Sequence, residues 1–150
     1  MARGELRSAA RLAAVQALYQ MDLNGKPVND VIAEHQAHCI GREIDGIAIP
    51  EAELSFFRAI VSGVVEDQLA IDRAIDDALA KGWPLTRIEA VLRAILRAGV
   101  FELKNRHDVP LRVIMSEYMR VTDSFYNEQE PALVNAVLDA IARDMRAGEK

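Results

Sequence analysis

The sequence predicts an all-α protein of about seven helices joined by short links. Apolar residues recur at spacings of three and four along most of the chain and do not alternate with polar ones at period two. Helix-opening and helix-ending residues fall between the periodic stretches. With 150 residues, 51% hydrophobic and 27% charged, the chain is of single-domain size and outside the range of disordered proteins. Residues 1–150 therefore read as one domain.

The elements follow in order. The segment 2–20, A-R-G-E-L-R-S-A-A-R-L-A-A-V-Q-A-L-Y-Q, is the first helix. Asn29 is placed to cap a short helix ending near His38. The stretch 39–50 holds two glycines and a proline and reads as a loop. Pro50 opens a helix over 51–68. Ile71, Ala74, Ile75, Ala78 and Leu79 then line one helical face, with Asp72, Arg73, Asp76 and Asp77 on the others. Gly82 is positioned to close that helix, Trp83 to fold back on its last turn, and Pro84 to prevent continuation. Thr86-Arg87-Ile88-Glu89 has the form of a capping box. The helix it opens runs to about Lys104 and is apolar nearly all round, as a buried central helix must be. Pro110, after Asp108, opens a helix over 110–125. Asn127, with Glu130 three residues on, opens the last helix, which ends near Gly148. No repeat of fixed period occurs.

Charge singles out the first helix. The chain carries a formal net charge of −5, yet residues 1–12 hold Arg3, Arg7 and Arg11 against Glu5 alone. Spaced four apart, the three arginines drift only about 80° around a helix and form one ridge. Cations near a helix N-terminus oppose the macrodipole, so the placement points to an anion outside the helix, and RNA is the natural candidate. A solvated helix start is the plainer alternative. Residues 13–86 hold five basic and twelve acidic side chains, whereas residues 87–120 hold seven basic and four acidic. A second basic region thus lies in the central helices.

Other chemistry is weakly signalled. The single cysteine, Cys39, excludes an internal disulfide framework and suits a reducing compartment. No apolar run reaches the roughly 20 residues of a membrane span. No secretory signal is evident, and the cytoplasm is expected. No phosphate-binding glycine loop and no nucleophile–base arrangement occurs. No cofactor, small-molecule substrate or catalytic activity is expected. His35, His38 and Cys39 share a helix face but lack a fourth ligand, so surface histidines and a small buried thiol are the better reading. Asp72, Asp76 and Asp77 read as a solvated face, and Glu51 and Glu53 as favourable first-turn acids. Tyr19 suits either a core edge or an RNA or partner contact. Phe125-Tyr126 reads as an anchor at a helix end, and Trp83 as a packing residue.

Four stretches together resemble the NusB family of bacterial transcription antitermination and ribosomal-RNA processing factors. They are A-A-R-L-A-A-V-Q-A-L-Y-Q (9–20), V-L-R-A-I-L-R-A-G-V-F-E-L (91–103), D-V-P-L-R-V (108–113) and S-F-Y-N-E-Q-E-P-A-L-V-N-A-V-L-D-A-I-A (124–142). F-F-R-A-I-V-S-G-V (56–64) adds a weaker match. The resemblance implies an all-α fold of two small packed helical bundles with no enzymatic activity. It implies binding to the boxA element of ribosomal-RNA leader transcripts, together with NusE, a small-subunit ribosomal protein, in the antitermination complex on RNA polymerase. Arg7 and Arg11 fall on the family's arginine-rich first helix, and Arg3 is added by charge and spacing. Tyr19 and Leu92 fall on partner-binding positions. This chain departs from the family in several places. Ser8 and Ala9 stand where arginine is common. Ala132-Leu133-Val134-Asn135-Ala136 replaces a segment with a lysine and a phenylalanine. Leu92 replaces a glutamate. These changes imply weaker contacts, or contacts moved to Arg93, Arg97 and Arg112. Two alternatives are a helical adaptor without RNA binding and a relative of the RNA-binding domain of ribosomal-RNA cytosine methyltransferases. The latter carries a catalytic domain, which a 150-residue chain ending in G-E-K is not expected to hold.

Overall fold

The computed structural model describes residues 3–38, 43–44, 47–48, 51–79, 89–126 and 129–149. Within them lie seven α-helices: α1 (Arg3–Asn24), α2 (Val28–His38), α3 (Glu51–Glu66), α4 (Gln68–Ala78), α5 (Ala90–Asn105), α6 (Leu111–Phe125) and α7 (Gln129–Met145). The stretch expected to be a loop also carries a short antiparallel ladder, β1 (Glu43–Ile44) with β2 (Ile47–Ala48). Apart from that short ladder the regular structure of the described residues is helical, and the all-α expectation holds. The chain divides into two compact units, Met1–Glu66 and Asp67–Lys150.

In the first unit α1 packs on α3, and α2 packs on both. The α1 face is built largely of small residues. Ala10, Ala14, Val15 and Ala17 are fully buried, as are Phe57, Ile60, Val61 and Val64 of α3 and Val31 of α2. Gly25 ends α1 with φ 67°, its N–H donating to the Met21 carbonyl at 2.9 Å. That left-handed conformation suits glycine and stops the helix. The opening of α2 differs from expectation. Asn29 lies inside the helix, and the Pro27 carbonyl accepts from the N–H groups of Asp30 and Val31 instead.

In the second unit α5 packs against α4, α6 and α7. Leu92, Ile95, Leu96, Val100, Phe101 and Leu103 are among its buried residues, as its all-round apolar pattern predicts. Gly99 lets α7 approach closely, since a Cβ there would stand 3.0 Å from Leu138 Cδ2. The helix boundaries shift inward. Leu79 is extended, so α4 ends at Ala78, and Glu89 occupies the cap before Ala90 rather than the third helical position of a capping box. Gly82, Trp83, Pro84, Thr86 and Asn127 lie outside the described residues, as do Cys39 and the side chains of His35 and His38.

The polar residues of this unit are more occupied than a solvated face implies. Asp72 accepts two hydrogen bonds from Arg97, at 2.8 and 2.9 Å, which ties α4 to α5. Asp67 and Lys104 make a second tie at 2.6 Å. Asp76 and Asp77 are exposed, as expected. In the core Tyr118 donates its hydroxyl hydrogen bond to Glu102, and Thr122 Oγ1 donates to the Tyr118 carbonyl at 2.6 Å. Tyr126 ends α6 half-buried and fits the anchor reading. Burial first, and then the carboxylates of Glu89 and Glu130, push its phenol above the ordinary range. Its neighbour Phe125 is exposed.

Just after α7, Arg146 turns its guanidinium into the protein. Nε donates to the Leu103 carbonyl at 2.9 Å and Nη1 to that of Val109 at 2.9 Å. Nη2 reaches the Glu102 and Arg106 carbonyls at 3.1 and 2.8 Å. The last turn of a helix leaves carbonyls without intrahelical partners, and Arg146 supplies donors to that end of α5. Glu149 pairs with Arg146 at 3.0 Å and accepts from the Leu111 N–H, an orphan donor at the start of α6. The Leu111 amide, and after it Arg146, hold the Glu149 carboxyl below its ordinary value of 4.5.

Three outcomes follow for stability. Leu96→Ala costs about 2–5 kcal/mol in chemical denaturation, while Leu69→Ala, at a residue 90% exposed, changes stability by less than about 0.5 kcal/mol. Arg146→Ala costs about 3–5 kcal/mol, because buried carbonyls and Glu149 lose a charged donor together. The lowered Glu149 value means that its contribution is present above 4.5 and is lost as pH falls through the lower folded-state value. Glu149→Gln therefore flattens the acid-side fall of Tm measured against pH. A fall as steep as in the unsubstituted chain would remove Glu149 from the clasp.

Candidate nucleic-acid interface

The arginine ridge of α1 meets α3. Arg7 and Arg11 stand one turn apart on α1, and Glu53 and Phe56 stand i, i+3 on α3, so each pair shares one face of its helix. The Arg7 guanidinium lies 4.6 Å from the centroid of the Phe56 ring and that of Arg11 lies 4.9 Å from it. Arg7 Nε also approaches Glu53 Oε2 at 3.7 Å. A guanidinium over an aromatic face is attracted by the ring quadrupole, more strongly where water is excluded.

Exposure separates the arginines. The Arg7 side chain is 20% exposed, whereas Arg11 is 1% exposed. The expected ridge of three surface arginines is thus corrected at Arg11, which is buried against Phe56 in this structure. The reason lies in the helical stripe: Arg11, Val15 and Leu18 are spaced i, i+4 and i+7, and all three are buried. The ridge continues the apolar face toward the N-terminus. Arg3 begins α1 one turn before Arg7, and its side chain lies outside the described residues. Glu53, expected as a first-turn acid, is buried beside Arg7.

The other predicted positions fare differently. Tyr19 is half-buried on α1. Leu92 is only 6% exposed, so a partner-facing Leu92 is corrected: it lies on the inward face of α5, one helical turn before Leu96, which is fully buried. Among the sites to which contacts were expected to move, Arg97 is held by Asp72 and Arg93 is half-buried, while Arg112 is exposed. Sequence reasoning passed over Phe56 and read Glu53 only as a favourable first-turn acid. The signal for them was their i, i+3 spacing at the start of an apolar helix, which sets a ring and a carboxylate on one face. Among the described residues no three His, Cys, Asp or Glu side chains form a metal-binding group, and no helix is long and apolar enough to cross a membrane.

The NusB family model matches residues 8–143. The chain belongs to the NusB family. It is 57% identical over 143 residues to the transcription antitermination protein NusB of Nitrobacter hamburgensis, covering 95% of this chain and 89% of that relative. The NusB of Bradyrhizobium diazoefficiens is likewise 57% identical, with 95% and 87% covered. These relatives are named for a regulatory role in transcription, not for a catalysed reaction. The structure is similar to that of T. maritima NusB, with a TM-score of 0.79 and 26% identity over 92% of this chain and 91% of that one. A chain in the solved complex of NusB and NusE with double-stranded RNA has a TM-score of 0.79 at 24% identity over 93% of this chain and 98% of its own, a likeness of fold.

Arg11→Ala in this NusB-family chain lowers stability by about 2–4 kcal/mol, through lost packing of its stem and lost stacking on Phe56. Arg58→Ala, on the exposed side of α3, changes it by less than about 0.5 kcal/mol. Equal denaturation midpoints for the two variants would contradict the burial of Arg11.

Proposed function

We propose that this chain is an antitermination factor of ribosomal-RNA transcription. In this reading it binds boxA RNA through the N-terminal arginines of α1, acts together with NusE in the complex on RNA polymerase, and works in the cytoplasm. The observation that carries the reading is the 57% identity, over 95% of the chain, to proteins named for transcription antitermination. Partial exposure supports Arg7, rather than Arg11, as a side chain that meets RNA in this reading. The Arg7 side chain is 20% exposed, and Arg3 precedes it by one turn. Arg11 supports the site from within.

RNA affinity from so few cations is modest and screened by salt. A second, basic protein on the same RNA adds phosphate contacts, and linked binding tightens both interactions reciprocally. The complex whose NusB chain this fold resembles contains NusE and RNA, and the net negative stretch 13–86 is complementary to a basic partner. Tyr19, half-buried on α1, is assigned to that partner surface.

The test is a gel-shift with boxA and scrambled RNA, with and without NusE. Arg7→Ala should make the log–log salt slope shallower by about 0.7, one single-strand phosphate contact, and Tyr19→Asp should weaken NusE binding in calorimetry by about tenfold or more. An unchanged slope would remove Arg7 from the RNA site. Equal affinity for boxA and scrambled RNA, even with NusE, would overturn the boxA assignment.

A further inference from the structure

We propose that Phe56 is a positioning residue of the RNA site: its ring orients the Arg7 guanidinium for phosphate, and buried Arg11 fixes the ring from the core side. The inference rests on the reading of α1 as the RNA-binding helix.

Three observations carry it. Phe56 is 3% exposed, so it cannot stack on a base and must act through a neighbour. Both guanidiniums lie within 5 Å of its centroid, at 4.6 and 4.9 Å. Arg7 alone of this pair keeps solvent exposure, and Glu53 approaches its Nε from the same helix as the ring. An arginine side chain carries roughly 2 kcal/mol of rotamer entropy. Holding it in place before RNA arrives reduces the ordering cost of binding.

Two like charges on one ring repel each other; the Glu53 carboxylate, 3.7 Å from Arg7 Nε, offsets part of that repulsion, and a phosphate arriving at Arg7 would offset more. Phe56 and Glu53 together thus present one cation, already oriented, at the edge of the first unit.

The experiment measures fluorescence anisotropy of labelled single-stranded boxA RNA against salt concentration, on variants whose folding is checked by circular dichroism. Phe56→Leu should weaken binding about two- to five-fold, the range of one cation–π contact, and Phe56→Tyr should restore it. Phe56→Leu combined with Arg7→Ala should bind no more weakly than Arg7→Ala alone, since the ring acts through that arginine. Replacing Phe56 by pentafluorophenylalanine keeps the ring shape and reverses its quadrupole, so it should weaken binding as leucine does and serves if Phe56→Leu does not fold. Wild-type affinity in the fluorinated chain, with Arg7→Ala impaired, would overturn the role of Phe56 while leaving Arg7 at the RNA site. Wild-type affinity in Arg7→Ala would overturn both.

Discussion

Removing a guanidinium from water costs several kcal/mol unless acceptors or π-faces replace the lost hydration. That constraint shapes both units of this chain. In the second unit the cost is offset by geometry: Arg146 points a planar fork of donors at four main-chain carbonyls from the end of α5 and the link to α6, with Glu149 closing the charge. Lysine, with one compact ammonium, cannot span that set. In the first unit an aromatic face takes part, and Arg11 lies over Phe56. The two solutions have different consequences. The Arg146 clasp joins a helix end, a loop and the start of α6. The Phe56 cluster joins a buried cation to a partly exposed one.

The second unit reads as a scaffold organised on α5. Its apolar face fills the core, Gly99 admits α7, and its polar residues tie outward to neighbours. Arg97 goes to Asp72 on α4, Lys104 to Asp67, and Glu102 to Tyr118 on α6. These pairs take up Arg97 and Lys104, two of the seven basic residues that the sequence places in residues 87–120. Charge that looks available in one dimension is spent on helix packing in three. Arg112 and Arg120 stay exposed on α6, so exposure alone does not single out α1, and the proposed RNA contact there rests on the likeness of its arginine series to the family's first helix.

Family membership and geometry contribute different parts of the functional reading. The similarity to antitermination proteins spans nearly the whole chain and sets the functional class. The geometry then places the side chains: Arg7 keeps partial exposure, Arg11 and Phe56 are buried beside it, and Leu92 belongs to the core. Position 92 lies on the inward face of α5, where an apolar side chain is favoured. Leucine at position 92 gains by burial what a glutamate there would lose.

The sequence by itself determined the fold class, the number of helices and the central place of α5. Those properties follow from periodicity summed over many residues, and such sums are robust to any single side chain. The start of α6 was also legible, because Pro110 restricts its own backbone and that of its neighbour. Boundaries were less so. Asn29 reads as a cap in sequence, yet Val28 already begins α2, and Glu89, read as the third helical position of a capping box, is itself the cap of α5 without a side-chain cap hydrogen bond. The tertiary structure alone decided the fate of charge. Arg11 sits in a perfect basic series and is buried, and Arg146 sits in a polar C-terminal segment and is buried as well. Whether a cation meets solvent, a ring or a helix end depends on what lies across from it in space. Phe56 is 45 positions from Arg11 and Leu103 is 43 from Arg146, and no local pattern records such distances.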